Sequence, residues 1–177
     1  SGRIKKFSEL FFTRLMMGFA AFCISCATLA NPVLDNVAHG DVTFQNSPNT
    51  LTINQTSDKA IINWQSFNIN GNEATHFNQP TNGIAFNRIN VNGTGGASQI
   101  YGQLSATGQI ILVNPQGIYF GKSAMVNVGG LIASTVDMSD SSFLSGQYNF
   151  NNAHGSNGFI TNEGKIIARD NGLVALL

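Results

Sequence analysis

Cysteine is almost missing: the 177 residues hold two, Cys23 and Cys26, both within the first thirty. Charge is sparse at 10% and sums to zero. That excludes a polybasic nucleic-acid binder, which needs clustered Lys and Arg to displace counterions. Long apolar runs are lacking too. The longest uncharged hydrophobic stretch, Leu15 to Ala30, has 16 residues, short of the roughly 20 that a spanning helix needs. His39, His76 and His154 have no metal-ligand spacing, and neither a nucleophile elbow nor a phosphate loop occurs. No cofactor is expected. What is present is 42% hydrophobic and 10% aromatic residues, too much for a disordered acidic chain. The length suits one domain with a real core.

The first thirty residues differ in kind from the rest. Arg3, Lys5, Lys6 and Arg14 face a single Glu9, then LMMGFAAFCISCATLA follows without charge. A basic start, a short apolar stretch and small residues at its end describe a secretory signal peptide, residues 1–30, cut after Ala30. A membrane anchor is too short, and a lipoprotein at Cys26 lacks the usual Leu-led box. Ser1 in place of Met reads as a chain whose true start lies upstream. Without residues 1–30 the remainder has five basic against eight acidic residues, a net charge of −3, and no cysteine. Disulfides therefore have no part in its stability.

Asn supplies 22 and Gly 17 of the 147 residues from 31 onward. Both tolerate turn and left-handed conformations at low steric cost. Between them recur short β-rich runs: 41–45, 51–54, 60–64, 84–86, 109–113, 118–120, 131–133, 166–168 and 173–177. The class is all-β. Val126 to Ala133 echoes Ile160 to Ala168, and Gly108 and Gly130 each precede an aliphatic run at a 22-residue interval. A period near 20 suits a parallel β-helix, with coils stacked at about 4.8 Å and Asn ladders at the corners. A β-sandwich is the competitor. Residues 31–105 read as an N-terminal cap with the first coils, and residues 106–177 as further coils.

Asn114-Pro115-Gln116-Gly117-Ile118 lies between two such runs. Pro fixes φ at the second position of a tight turn and Gly closes it, which predicts type I. Alone the pentapeptide is an ordinary turn. It is preceded by Ile61-Ile62-Asn63-Trp64-Gln65-Ser66-Phe67-Asn68-Ile69, Ala85-Phe86-Asn87-Arg88-Ile89 and Ile100-Tyr101-Gly102-Gln103-Leu104. Gly121 to Asn127 and Gly130 to Thr135 follow it.

In that order these blocks closely resemble the secretion domain of the filamentous haemagglutinin family, the exported partner of bacterial two-partner secretion systems. The resemblance covers about residues 36–177. It implies a right-handed parallel β-helix (a single-stranded, pectin-lyase-like solenoid) with an N-terminal β cap and extra-helical strands. It implies recognition by the periplasmic domains of an outer-membrane two-partner transporter. Passage through the general secretory translocase and signal peptidase would come first. Residues 114–118 match the family's NPNGI signature with Gln116 in place of Asn, and a second signature, NPNL, is not visible. The domain would continue past residue 177 into an adhesin, haemagglutinin or toxin, with host-cell receptors met by later regions. Asn114, Pro115, Gln116, Gly117 and Ile118 are the candidate transporter-recognised turn. Asn63, Trp64, Phe67, Asn68, Phe86, Asn87 and Arg88 form the candidate structural motif.

Trp64 and Phe67 read as core at the junction of cap and first coil rather than as a sugar-stacking platform. Arg88 reads as the anchor of a loop through its planar donors. An alternative of another class is a polysaccharide-binding or polysaccharide-cleaving β-helix, which needs clustered carboxylates. Asp35, Asp41, Asp58, Glu73, Asp137, Asp140, Glu163 and Asp170 are scattered, and Asp137 with Asp140 reads as a solvated Ser-rich turn. The expectation is no enzyme. The sequons Asn54-Gln55-Thr56 and Asn92-Gly93-Thr94 read as chance in an Asn-rich bacterial chain.

Overall fold

The computed structural model describes residues 31–89, 95–151 and 156–177. The expected signal peptide, Asn92 and His154 lie outside them. Strand pairing there follows one rule: from Thr50 onward the strands pair with one another in parallel, one coil apart. Ser98 pairs with Ile118, Gln103 with Met125 and Gln109 with Gly130, spacings of 20, 22 and 21 residues. The chain is a parallel β-helix.

Strands β1 (Val33–His39) and β2 (Val42–Ser47) come first. The first coil holds β3 (Thr50–Gln55) and β4 (Lys59–Ser66), and the second β5 (Ala74–Asn78), β6 (Ile84–Ile89) and β7 (Ser98–Ile100). Strands β8 (Gln103–Ala106), β9 (Gln109–Val113) and β10 (Ile118–Phe120) make the third. The fourth has β11 (Met125–Val128) and β12 (Gly130–Ser134), leaves the solenoid through helix α1 (Asp140–Leu144), and returns in β13 (Ile160–Asn162). β14 (Lys165–Ala168) and β15 (Val174–Leu176) begin a fifth.

Three sheets result, in the orders β1-β4-β6-β9-β12-β15, β2-β3-β5-β8-β11-β14 and β7-β10-β13. Antiparallel pairing is confined to β1 on β4 and β2 on β3, so these two strands cap the open end of two sheets. β1 is bulged in three places, a device that blunts an edge strand against foreign pairing. Pro48 and Asn49 turn β2 into β3, with Asn49 at φ 61°.

Alternation places one side chain of each pair inside. Ala60, Ala85, Ile110 and Leu131 stack through four coils in sheet register, all buried in the same cluster as Trp64, Ile69, Leu104 and Phe120. Burying side chains the size of Ile110, Leu131 or Phe120 contributes about 1.5–3 kcal/mol each. The outer face of the first sheet carries a second cluster, Ile61, Phe86, Ile111 and Val113, covered by Met138 and Phe143 from the excursion.

Two expectations about the repeat are corrected. Val126–Val128 stacks on Ile166–Ala168, and Leu131–Ala133 on Val174–Leu176. The apparent echo of residues 126–133 in 160–168 is thus displaced by one face, because both faces share the hydrophobe–Gly–aliphatic pattern. Gly108 stacks under Gly129, whose N–H donates to its carbonyl at 2.8 Å, while Gly130 begins the next strand on Gln109. A Cβ on Gly108, Gly129 or Gly172 would collide with the carbonyl oxygen of the glycine one coil back, Gly83, Gly108 and Gly129 respectively. This column of close backbone contacts needs glycine for space, not for φ. Amide ladders do occur: Asn78 on Asn54 at 3.3 Å, and a buried Gln79 on Gln55 at 3.1 Å.

Candidate functional site: a buried amide turn and a charged clamp

The turn at 114–118 connects β9 to β10. Gly117 N–H donates to the Asn114 carbonyl at 3.0 Å, closing the turn. Gln116 is not among the positive-φ residues, which leaves type I rather than type II, and Gly117 at φ 112° takes the chain into β10. Asn114 itself is fully buried. Its Oδ1 accepts from Gln116 N–H at 3.0 Å, and its Nδ2 donates to the Gly96 carbonyl and to Ser98 Oγ, both at 3.0 Å. Its backbone N–H donates to Ser134 at 3.0 Å. One side chain therefore ties the coil before the turn to the turn itself.

The next coil closes over it. Gly158 N–H donates to the Pro115 carbonyl at 3.1 Å and Ile118 N–H to the Phe159 carbonyl at 3.0 Å. Within the motif Gln116 is exposed and Pro115 half-buried, whereas Asn114, Gly117 and Ile118 are buried. The folded domain shows a partner the edge of this turn and hides the asparagine.

The second group of residues named from the sequence divides between core and clamp. Trp64 is 1% exposed and meets Phe44 of the cap and Phe67 edge-on, at ring distances of 5.9 and 5.5 Å. Burial removes it as a sugar platform and places it where the cap meets the first coil. Its Nε1 donates to Asn87 Oδ1 at 2.9 Å, and Asn87 Nδ2 donates to the carbonyls of Ala85 and Ile111 at 3.1 and 3.3 Å. Asn87 lies in the apolar interior and is hydrogen-bonded at both ends of its amide, as burial requires. Asn68 Oδ1 accepts from Gln99 N–H at 2.8 Å, joining the first coil to the second. Asn63 donates to Asn36 of β1 at 3.1 Å.

Arg88 faces outward from β6 over the Phe86 ring at 4.6 Å. It donates to Asp137 and Asp140, both at 2.8 Å, and to the Met138 carbonyl at 3.0 Å. Lys59 donates to the carbonyls of Phe143 and Leu144 at 3.3 and 2.7 Å, at the C-terminal end of α1, where a cation is favoured. Ser139 caps the other end, accepting from Ser142 N–H at 3.2 Å. Asp137 and Asp140 are thus not a solvated turn but the acidic half of a clamp. Burial pushes the Asp137 carboxyl above the usual range, against the opposing pull of Arg88 beside it.

Sequence reasoning missed Gly96, Ser98 and Ser134 as partners of Asn114, since partners brought together by stacking leave no local signal. Among the described residues no three His, Cys, Asp or Glu side chains are grouped to hold a metal ion. His76 Nδ1 lies 2.8 Å from Ser105 Oγ on the outer face of the second sheet. No described helix is long and apolar enough to cross a membrane.

Comparison with known proteins gives three concordant findings. Residues 31–177 match the family model described as the TPS secretion domain. A heme/hemopexin-binding protein of Haemophilus influenzae is 41% identical over 113 residues, covering 63% of this chain, and its counterpart in strain Rd is 39% identical over 109 residues. The chain spans 12% of the length of each of these relatives. The crystal structure of the HMW1 secretion domain from Haemophilus influenzae superposes with a TM-score of 0.73 at 34% identity. That match covers 82% of this chain and 39% of that one.

Proposed function

The chain belongs to the TPS secretion domain family, and from that premise we propose that it steers a longer bacterial adhesin or haemagglutinin to its outer-membrane two-partner transporter. The destination is the cell surface or the medium, and the role is non-enzymatic. Residues 1–30 are removed after Ala30 on passage through the general secretory translocase, and the chain continues past residue 177 into further coils. In support, the chain spans 12% of the length of the two relatives it matches.

The observation that carries the role of the turn is the complete burial of Asn114 beside an exposed Gln116. An asparagine whose side chain is sealed inside three hydrogen bonds cannot be read by a transporter once the domain has folded. Asn114 acts in the chain before it folds or by shaping the turn. The solenoid suits export without ATP: each coil finds its partner in the coil before it, 20 to 29 residues back before the excursion and 40 to 43 across it, so folding propagates as the chain emerges.

Asn114→Ile removes the side-chain hydrogen bonds to Gly96, Ser98 and Gln116. In cells expressing the transporter it should reduce the protein in the medium at least tenfold and leave it in the periplasm, with Gln116→Ala near wild type. Secretion of Asn114→Ile at the wild-type level refutes the assignment. Loss of secretion in Gln116→Ala alone, with normal folding, would move recognition to the exposed edge.

A further inference from the structure

Glu73 is 5% exposed, and buried carboxylates are rare unless a cation meets them. Among the described residues the side-chain ion pairs are those of Arg88 with Asp137 and Asp140, so none reaches Glu73. Its Oε2 instead accepts two backbone N–H groups, from Asn70 at 2.9 Å and from Asn31 at 3.1 Å. The first closes a local turn, in which Glu73 N–H also donates to the Asn70 carbonyl at 2.9 Å. The second comes from 42 residues away.

Asn31 is held there. Its Oδ1 accepts from Thr75 Oγ1 at 3.2 Å, and Thr75 is fully buried. Its φ is 65°, a left-handed conformation that asparagine adopts more readily than most residues, and Pro32 behind it is buried. Asn31 is also the residue that follows the signal-peptide cut and the first residue of the family match.

We propose that Glu73 is the receptor for the N-terminus that signal-peptide removal creates. Hydrolysis breaks the Ala30–Asn31 peptide bond: the water oxygen goes to the Ala30 acyl carbon as a carboxylate, and its two protons go to the Asn31 nitrogen. The neutral amide becomes an α-ammonium group, charged at neutral pH, on the atom that already faces Glu73. A backbone hydrogen bond turns into a charge-assisted ion pair with a desolvated carboxylate, a considerably stronger contact. Processing thereby tightens the junction of the chain start with the first and second coils, through Asn31, Glu73 and Thr75. The precursor, still tethered, has the weaker contact and the looser cap, the state suited to passing the inner-membrane translocase.

The inference rests on the export reading through the cut after Ala30, and its test avoids the transporter. The full chain is recovered from the periplasm of cells lacking the outer-membrane transporter and its first residue is read by N-terminal sequencing; Asn31 is expected. Four proteins are then compared by denaturant unfolding: wild type, an insertion of Gly-Ser between Ala30 and Asn31, Glu73→Gln, and the combination. The insertion should raise the unfolded-to-folded ratio about tenfold beside Glu73 and less than about twofold in the Glu73→Gln background. Independently of any Glu73 variant, an amine-acylating reagent at neutral pH should modify the wild-type α-amine about tenfold more slowly than that of the insertion protein. A first residue other than Asn31, an insertion cost equal in both backgrounds, or equal acylation rates would each overturn the proposal.

Discussion

Arg88 shows how much one residue carries when its partners come from a distant segment. It is 15% exposed at the side chain and meets Asp137, itself 19% exposed. Arg88→Met strands a largely desolvated carboxylate, and removing one member of such a pair costs about 3 kcal/mol. Lys in its place cannot reproduce two carboxylate contacts and a ring contact from one planar group, so Arg88→Lys should recover less than half of the loss in urea unfolding. Asp137 gives a pH signature of unusual sign. Its native pKa is raised, mainly by burial, so the folded state holds the proton more tightly than the unfolded state does. The contribution is greatest below the ordinary carboxylate value and declines as pH rises through the raised native one. Wild-type stability measured relative to Asp137→Asn should therefore fall over that interval; a relative gain would show that Arg88 outweighs desolvation. The planar donors of Arg88 marked it in the sequence as a loop anchor, but its acidic partners, 49 and 52 residues away, did not stand out as partners.

Elements explain which parts of the fold could be read early. β9 and β10 coincide with runs 109–113 and 118–120 because continuous aliphatic stretches bounded by Gly, Asn and Pro leave one interpretation. β5, β7 and β8, with sequences ATHFN, SQI and QLSA, were missed. They are short, partly polar and become strands only because a neighbouring coil supplies their hydrogen bonds. Helix α1 has five residues, too few for a period, and exists because Phe143 docks on Phe86 at 5.3 Å. Phe143→Ala should cost about 3–5 kcal/mol in thermal or urea unfolding and expose the apolar outer face of the first sheet to a dye such as ANS. An unchanged midpoint would mean that the excursion is decoration. The glycine column makes a stricter demand. Gly108→Ala forces a Cβ onto the Gly83 carbonyl, and the coils must part by well over half an ångström. The expected result is a protein that unfolds at markedly lower denaturant, whereas Gly146→Ala, with nothing within 4 Å, meets only the strain of its φ of 78°.

For the whole molecule, the solenoid accounts for both composition and direction. A Cys-free chain from residue 31 onward has no crosslink to hinder threading. Corners every few residues call for Asn and Gly, and the two antiparallel cap strands close the N-terminal end of two sheets. The family resemblance carried handedness and destination, which strand periodicity alone left open against a sandwich. What stacking alone could assemble, the Asn114 pocket and the Glu73 contact with Asn31, was not legible before the coils were in place. Export through a dedicated transporter is decided by quantifying the protein in the culture medium of otherwise identical cells with and without that outer-membrane transporter. Protein is expected in the medium only when the transporter is present, with periplasmic retention when it is not; equal amounts in the medium of both strains would refute this route.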